Sequence, residues 1–362
     1  MGAGVAVMAG GTGGHVFPAL AVAERLRADG IEVFWIGTRR GMEARLVPQS
    51  GFAMEWISIE GLRGKGLAAV ALAPFRLAAA LWQAGRILRR RRPAAVLGMG
   101  GFASGPGGLM ARALGLPLVI HEQNRVPGLT NQWLARIAAR VFEAFPGSFP
   151  PGLGAIACGN PVRAEIAALP APEDRLAARL QGPGPRRLLV LGGSLGAQAL
   201  NQALPPALAQ IPAERRPQVR HQAGERTLAE AERGYAHAGV AAEVIPFIAD
   251  MAEAYAWADL VVCRAGALTV SELAAVGLPA ILVPYPHAVD DHQTGNARFL
   301  SEAGAARLVP QADLTPDTLT VQLTALLDDP ALLLAMAKAA RAKAQPNAAT
   351  RVAAACREVQ KA

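Results

Sequence analysis

Acidic residues are in the minority in this sequence: 28 Asp and Glu stand against 36 Lys and Arg, a formal charge of +8 at pH 7. That excess favours phosphate-bearing small molecules, nucleic acid or an anionic membrane surface as partners, without choosing among them. Cysteine is scarcer still. Cys158, Cys263 and Cys356 are widely separated and form no C-x-x-C pair, which argues against a disulfide framework or a thiolate zinc site and fits a reducing cytosol. Aromatic residues make up 5% of the chain, and no exposed aromatic cluster beside basic residues is evident, so no nucleic acid is expected as partner. Long hydrophobic runs are missing too. The longest, GLAAVALAPFRLAAALW at 66–82, is broken by Pro74 and Arg76 and falls short of the roughly 18–20 residues of a spanning helix. The first residues run straight into VAVMA without the charged region and cleavage site of a signal peptide, so neither export nor membrane insertion is expected.

Two nucleotide signatures are also lacking. No G-x-x-x-x-G-K-[ST] occurs, which leaves a P-loop unsupported. In a G-x-G-x-x-G reading of the first loop, Val16 stands at the third glycine, and the following strand EVFWIGT ends without an acidic residue for a ribose, so NAD is not expected.

What is present is a rhythm. Apolar residues are 52% of a chain of 362, enough for about two domains. Short apolar runs ending in glycine (VAVMAGG, EVFWIG, AAVLGMGG, LPLVIHEQ) alternate with longer Ala- and Leu-rich periodic segments, the βαβ signature of a parallel sheet covered by helices. The rhythm restarts with RRLLVLGGSLG, QVRHQAG, AEVIPFI, LVVCRAG and PAILVPYP, and VAVMAGGTGG and LLVLGGSLG read as the same strand–glycine–helix unit half a chain apart. CGNPVR and QGPGP carry the Gly, Asn and Pro of hinges. The expected division is an α/β domain over 1–160, a second over 161–340, and a terminal helical segment over 341–362 packing back on the first.

Three glycine loops, at 10–14, 100–108 and 192–196, fall at the carboxyl ends of strands, where open α/β sheets bind ligands. Each reads as a phosphate cradle, since glycine admits close approach and helix-end N–H groups attract anions; a tight turn needing positive φ accounts for any single one as well. His15 sits in the first turn of the helix after the first loop, where the positive end of the backbone dipole disfavours imidazolium, so it is either a general base or a residue that hydrogen-bonds the loop. Thr269 and Glu272 have the S/T-x-x-E spacing of a capping box, while a carboxylate in the first turn also suits ribose hydroxyls. HAVDDHQTGNA at 287–297 offers two His, two Asp and Gln293, but adjacent Asp residues on a loop serve equally as a solvated turn, and no metal is expected. A helix is expected over 74–92, with Leu77, Leu81, Ala84 and Leu88 as its core stripe and Phe75, Trp82, Arg86 and Arg89 on another face suited to an anionic headgroup layer.

GGTGGHVFPAL, GLRGKG, LGMGGFASGP, HEQNRVPGLTN, GNPVR, GGSLGA, CRAGALTVSE and VPYPHAVDDHQTGNA, in this order over residues 5 to about 300, resemble the MurG family of peptidoglycan glycosyltransferases. The resemblance implies the GT-B fold, two Rossmann-like domains with parallel sheets facing a cleft. It implies an inverting enzyme of peptidoglycan synthesis, acting in cell-wall biogenesis and cell division. On that resemblance GlcNAc is expected to pass from UDP-GlcNAc to lipid I, the undecaprenyl-pyrophosphoryl-MurNAc-pentapeptide, giving lipid II at the cytoplasmic face of the cell membrane. By the same resemblance Thr12, Gly13, Gly14 and Asn124 face the donor sugar, and Arg163 and Ser194 the UDP phosphates. Ile248 borders uracil; Ala267, Leu268, Thr269, Val270, Ser271 and Glu272 hold phosphate and ribose; Gln293 binds the GlcNAc hydroxyls. His15 is then the leading base, with His121 and Glu122 behind it, and the glycines of GGFASGP meet the lipid diphosphate. Phe102 stands where many relatives carry Tyr. No cofactor is implied, because helix-end N–H groups and Arg side chains can take the charge of departing UDP. A UDP-sugar epimerase of the same architecture and a nucleotide- or RNA-binding module are the competing readings.

Overall fold

The apolar runs become strands buried on both faces, because helices cover each side of a parallel sheet. The computed structural model describes residues 4–59, 72–193 and 196–359. Two units result, Met1–Arg163 with Gln345–Ala362, and Ala164–Ala344. The first is built from β1 (Val5–Met8), α1 (Gly13–Ala28), β2 (Val33–Gly37), α2 (Glu43–Gln49), β3 (Ala53–Trp56), α3 (Ala73–Arg91), β4 (Ala95–Gly98), α4 (Ser104–Ala113), β5 (Leu118–Glu122), α5 (Leu129–Ala135), β6 (Arg140–Glu143) and β7 (Ile156–Ala157). Among the described residues its seven strands are parallel in the order β3-β2-β1-β4-β5-β6-β7.

The second unit repeats the plan: α6 (Ala164–Ala167), α7 (Pro172–Gln181), β8 (Arg187–Leu191), α8 (Gln198–Ala209), β9 (Gln218–Gln222), α9 (Leu228–Ala238), β10 (Glu243–Ile245), α10 (Met251–Trp257), β11 (Leu260–Cys263), α11 (Ala267–Val276), β12 (Ala280–Leu282), α12 (His292–Ser301), β13 (Ala306–Leu308), α13 (Pro316–Leu327) and α14 (Pro330–Ala342). The strand order is β10-β9-β8-β11-β12-β13, again all parallel. Both sheets therefore reverse direction of growth at one place, between β1 and β4 and between β8 and β11. Loops leaving the carboxyl ends of those strands diverge to opposite faces and open a crevice there. All three glycine loops lie at these switch points.

The final helix, α15 (Ala348–Glu358), belongs to the first unit and packs on α1. Its Val352, Ala353, Ala355 and Cys356 join Val16, Ala19, Ala23 and Leu26 in one core cluster. Helix α1 is therefore covered on more than one side, which is why its buried set runs through Pro18–Ala23 rather than along a single stripe. The ALLLAMAKAARAKA segment forms α14, which stays in the second unit against α7 and α11.

Helix α3 corrects the expected core stripe. Ala80, Ala84, Gly85, Ile87 and Leu88 are its buried residues, whereas Leu77 is 43% exposed and Leu81 half-buried. The cause is close packing on α4: an added Cβ at Gly85 would lie 2.8 Å from Met110 Cε, so contact is concentrated in the last turns, and residues 74–79 remain exposed. No single helix among the described residues is long and apolar enough to cross a membrane. The α13–α14 pair is apolar enough but bent by 92°, and it gives Leu319, Leu323, Leu333 and Met336 to the second unit's core.

Candidate functional site

In the first unit the 10–14 loop leaves β1 with Gly11 at φ +92°, and Thr12 takes the N-cap position of α1 in an extended conformation without its side chain capping the helix. Gly13 and Gly14 lie in the first turn, where no preceding helix carbonyl takes their N–H groups. Gly11 is different. Its N–H donates to Glu43 Oε2 at 2.9 Å, while Glu43 Oε1 accepts from Thr38 N at 3.0 Å and Thr38 Oγ1 at 2.8 Å. Glu43 is fully buried, and all three of these partners are donors, the environment of a carboxylate. Gly11 N–H is thus committed to Glu43, and the N–H groups this loop leaves for a ligand are those of Gly13 and Gly14 at the start of α1.

His15, half-buried in the first turn of α1, has its Nδ1 2.9 Å from Gln123 Oε1, an amide oxygen that accepts. Gln123 follows β5, so the bond ties the β1 loop to the β5 loop around β4. The intervening 100–103 loop presses on the same ring: Gly100 has φ +91°, and a Cβ there would fall 2.8 Å from His15 Nδ1. His121 and Glu122, the weaker base candidates, are interior groups. His121 is fully buried, its Nε2 2.9 Å from Gly159 O and its Nδ1 3.2 Å from Gln123 Nε2. Burial pushes its pKa down to about 4, against the bond to Gly159, so it stays neutral. Glu122 organises the following loop, accepting from Asn124 N at 2.9 Å, Gly128 N at 3.2 Å and Asn131 Nδ2 at 2.9 Å. Asn124 is thereby held beside the β5 end, half-buried. Arg163, the last residue of this segment, lies with its guanidinium 5.0 Å from the Phe17 ring of α1. Phe102 is 54% exposed on the 100–103 loop.

In the second unit Gln222 does for the glycine loop what Glu43 does in the first. Its Oε1 accepts from Gly193 N at 3.0 Å and its Nε2 donates to Gly193 O at 2.9 Å, so the clamp is neutral and adds no charge that would repel a phosphate. Ser194 lies outside the described residues, as does the GLRGKG motif. Arg264 after β11 is spent on the scaffold, donating to Val283 O at 3.2 Å, Pro284 O at 3.3 Å and Gln311 Oε1 at 2.6 Å.

The capping-box expectation is overturned. Helix α11 begins at Ala267 with Gly266 as its N-cap, so Thr269 and Glu272 lie inside the helix. Glu272 is 3% exposed, and its Oε2 accepts from Tyr255 OH at 2.9 Å. Leu268 and Thr269 present first-turn N–H groups. Val270 is fully buried and donates its N–H to Gly266 O, so it presents neither side chain nor N–H to a ligand. Ser271 Oγ bonds back to Ala267 O at 2.9 Å. Ile248 is 7% exposed, and Gln293 Oε1 accepts from Tyr285 N at 2.9 Å, which fixes its amide at the start of α12. Among the described residues no three His, Cys, Asp or Glu side chains gather as a metal site. Burial pushes all three thiols up to about 12, leaving them inert.

Glu43, Gln123 and Gln222 were not singled out from sequence. Gln123 lay in the legible HEQN motif; Glu43 and Gln222 carry no local signal, since each acts on a glycine far from it in the chain.

The matches to known proteins follow the same division. Residues 5–143 match the glycosyltransferase family 28 N-terminal domain and residues 187–352 its C-terminal domain. A relative from Methylococcus capsulatus, named UDP-N-acetylglucosamine--N-acetylmuramyl-(pentapeptide) pyrophosphoryl-undecaprenol N-acetylglucosamine transferase, is 58% identical over 98% of each chain. One of the same name from Alkalilimnicola ehrlichii is 57% identical over 98% of each. The crystal structure of Acinetobacter baumannii MurG superposes with a TM-score of 0.82 at 46% identity, covering 98% of this chain and 99% of that one. A UDP-GlcNAc 2-epimerase from Neisseria meningitidis reaches a TM-score of 0.67 at 13% identity over 96% and 97% of the two chains, a likeness of fold alone. With two Rossmann-like sheets and both family 28 domains in sequence order, the chain belongs to the MurG family of GT-B glycosyltransferases.

Proposed function

We propose that this protein transfers GlcNAc from UDP-GlcNAc to the MurNAc 4-hydroxyl of lipid I, forming lipid II and UDP with inversion at the anomeric carbon. The observation that carries the reading is 58% identity over 98% of both chains with a relative whose name states that transfer. In the reaction the hydroxyl oxygen bonds to C1 of GlcNAc, the bond from C1 to the diphosphate oxygen breaks, and UDP leaves with the electron pair. The hydroxyl proton goes to His15. In the first unit Thr12, Gly13, Gly14 and Asn124 contact the sugar, and Arg163 supplies positive charge to the diphosphate. In the second, Ser194 and the first-turn N–H groups of α11 take phosphate, Glu272 the ribose, Ile248 the uracil edge and Gln293 the GlcNAc hydroxyls.

The protein works as a peripheral enzyme at the cytoplasmic face of the cell membrane in this reading, and α3 carries the attachment. Phe75 and Trp82 are 75% and 64% exposed, and Arg86 lies 5.6 Å from the Trp82 ring. Each such anchor contributes on the order of 1.5–3 kcal/mol when buried, and each nearby Arg, including Arg89, about 1 kcal/mol on an anionic surface. That sum supports reversible attachment. Binding to anionic vesicles should weaken with salt; equal binding to neutral vesicles refutes the electrostatic part.

The deciding experiment is transfer of radiolabelled sugar from UDP-GlcNAc to a lipid-I analogue with EDTA present. Label in the lipid product supports the reading. Epimer formed from UDP-GlcNAc alone, without transfer, replaces it with an epimerase, and loss of transfer in EDTA restored by a divalent ion refutes the metal-free part.

A further inference from the structure

We propose that Gln123 is a positioning residue that sets the tautomer of His15, holding the proton on Nδ1 so that Nε2 presents a lone pair. The inference rests on the reading of His15 as base and goes beyond it by naming the nitrogen that acts and the chain of bonds that selects it.

The chain starts from a group that can only accept. Gly159 O lies 2.9 Å from His121 Nε2, so that nitrogen carries a hydrogen. Gly159 itself is pinned: its φ is +82°, and a Cβ there would fall 2.2 Å from Gln345 Cβ, where the chain returns to the first unit. A neutral His121 with its hydrogen on Nε2 has a bare Nδ1, which accepts from Gln123 Nε2 at 3.2 Å. The same amide nitrogen donates to His121 O at 3.2 Å. The orientation of the Gln123 amide follows. Flipped, its oxygen would face a carbonyl and an imidazole lone pair at once, two acceptors with no donor between them. The flip could be rescued only by protonating His121 at Nδ1, which complete burial opposes. Asn160 Nδ2, donating to Gln123 O at 3.1 Å, holds the backbone of the same residue.

With its nitrogen committed to His121, Gln123 turns Oε1 to His15 Nδ1 at 2.9 Å. An amide oxygen accepts, so His15 donates from Nδ1. A ring with its hydrogen on Nδ1 has an unprotonated Nε2, able to take the proton of an attacking hydroxyl. The wall formed by Gly100, where a Cβ would lie 2.8 Å from Nδ1 and 2.9 Å from Cε1, limits ring displacement on that side. The order Gly159, His121, Gln123, His15 thus transmits one backbone carbonyl's preference to the base.

Nitrogen NMR of ¹⁵N-histidine-labelled full-length protein reads the tautomer directly, with the His15 signals assigned by their loss in His15→Gln. The expected wild-type pattern is protonated Nδ1 and unprotonated Nε2. In Gln123→Met, which keeps the side chain's length and removes both bonds, His15 should lose that preference. The kcat should then fall by about 10-fold to 10²-fold, within the ~10²–10⁴ a general base supplies, with KM for UDP-GlcNAc changed less than about two-fold. A wild-type His15 protonated on Nε2 overturns the proposal, as does Gln123→Met with unchanged tautomer and kcat. Should Gln123→Met fail to fold, the wild-type tautomer alone decides. Full turnover in His15→Ala would sink the base reading instead, and would leave the NMR result to judge the positioning chain separately.

Discussion

Substituting Ala for Gly101 tests whether the two glycine loops of the first unit are held backbone to backbone. Gly101 has φ +83°, and an added Cβ would sit 2.3 Å from Gly10 O and 2.9 Å from Gly10 N. Gly11 is the matched control, with φ +92° and nothing within 4 Å of the same added atom. Placing Ala in either backbone costs about 1–3 kcal/mol of strain. Only Gly101→Ala adds a steric overlap with backbone that cannot rotate away, about 1–3 kcal/mol more by the usual cost of overpacking. The double penalty is a large share of the roughly 5–15 kcal/mol that holds a domain folded. Urea unfolding of both variants, compared at matched m-values, should place Gly101→Ala at least about 1 kcal/mol below Gly11→Ala. Equal destabilisation of the two would show that the 100–103 loop gives way freely, and the close packing inferred for the pair would be wrong. Turnover is a second readout, because moving this loop also shifts Gly100 against the His15 ring.

Glu43→Gln replaces an acceptor of three hydrogen bonds by an amide that must turn a donor toward Gly11 N–H or toward Thr38, so stability should fall by about 1–3 kcal/mol, measured as a lower melting temperature. Tyr255→Phe removes the hydroxyl that donates to Glu272 Oε2, and KM for UDP-GlcNAc should rise several-fold with kcat little changed; an unchanged KM would show that this bond does not serve donor binding. Burial lowers His121 and His221 to about 4 from an ordinary 6.5, so between those values the unfolded chain binds more protons than the folded one. Stability is then fully present above about pH 6.5 and is lost as pH falls toward 4, by up to about 3 kcal/mol per histidine, and melting temperatures from pH 7 to 5 should show it. His221→Gln should flatten part of that slope.

The two-sheet plan was legible because strands such as Val5–Met8 and Leu260–Cys263 are buried on both faces and must be apolar throughout. Ala53–Trp56, Arg140–Glu143, Ile156–Ala157 and Ala306–Leu308 were not named as strands, being short or mixed in polarity. All but Arg140–Glu143 form a sheet edge, and backbone pairing to a neighbour defines them more than side-chain pattern does. Motif spacing also misplaced the start of α11: S/T-x-x-E marks a cap only when the helix begins at the Thr, and here Gly266 ends the turn three residues earlier.

What the sequence alone determined is the order of strand, glycine turn and helix in each half, the family, and the identity of His15 as a polar group on the first turn, because these depend on neighbours along the chain. Only the tertiary structure decided which side chains hold the first glycine loop and His15. Glu43 reaches Gly11 across 32 positions, and Gln123 reaches His15 across 108. Partnerships at such separations are made by the order of strands in the sheet, which no local pattern of residues encodes.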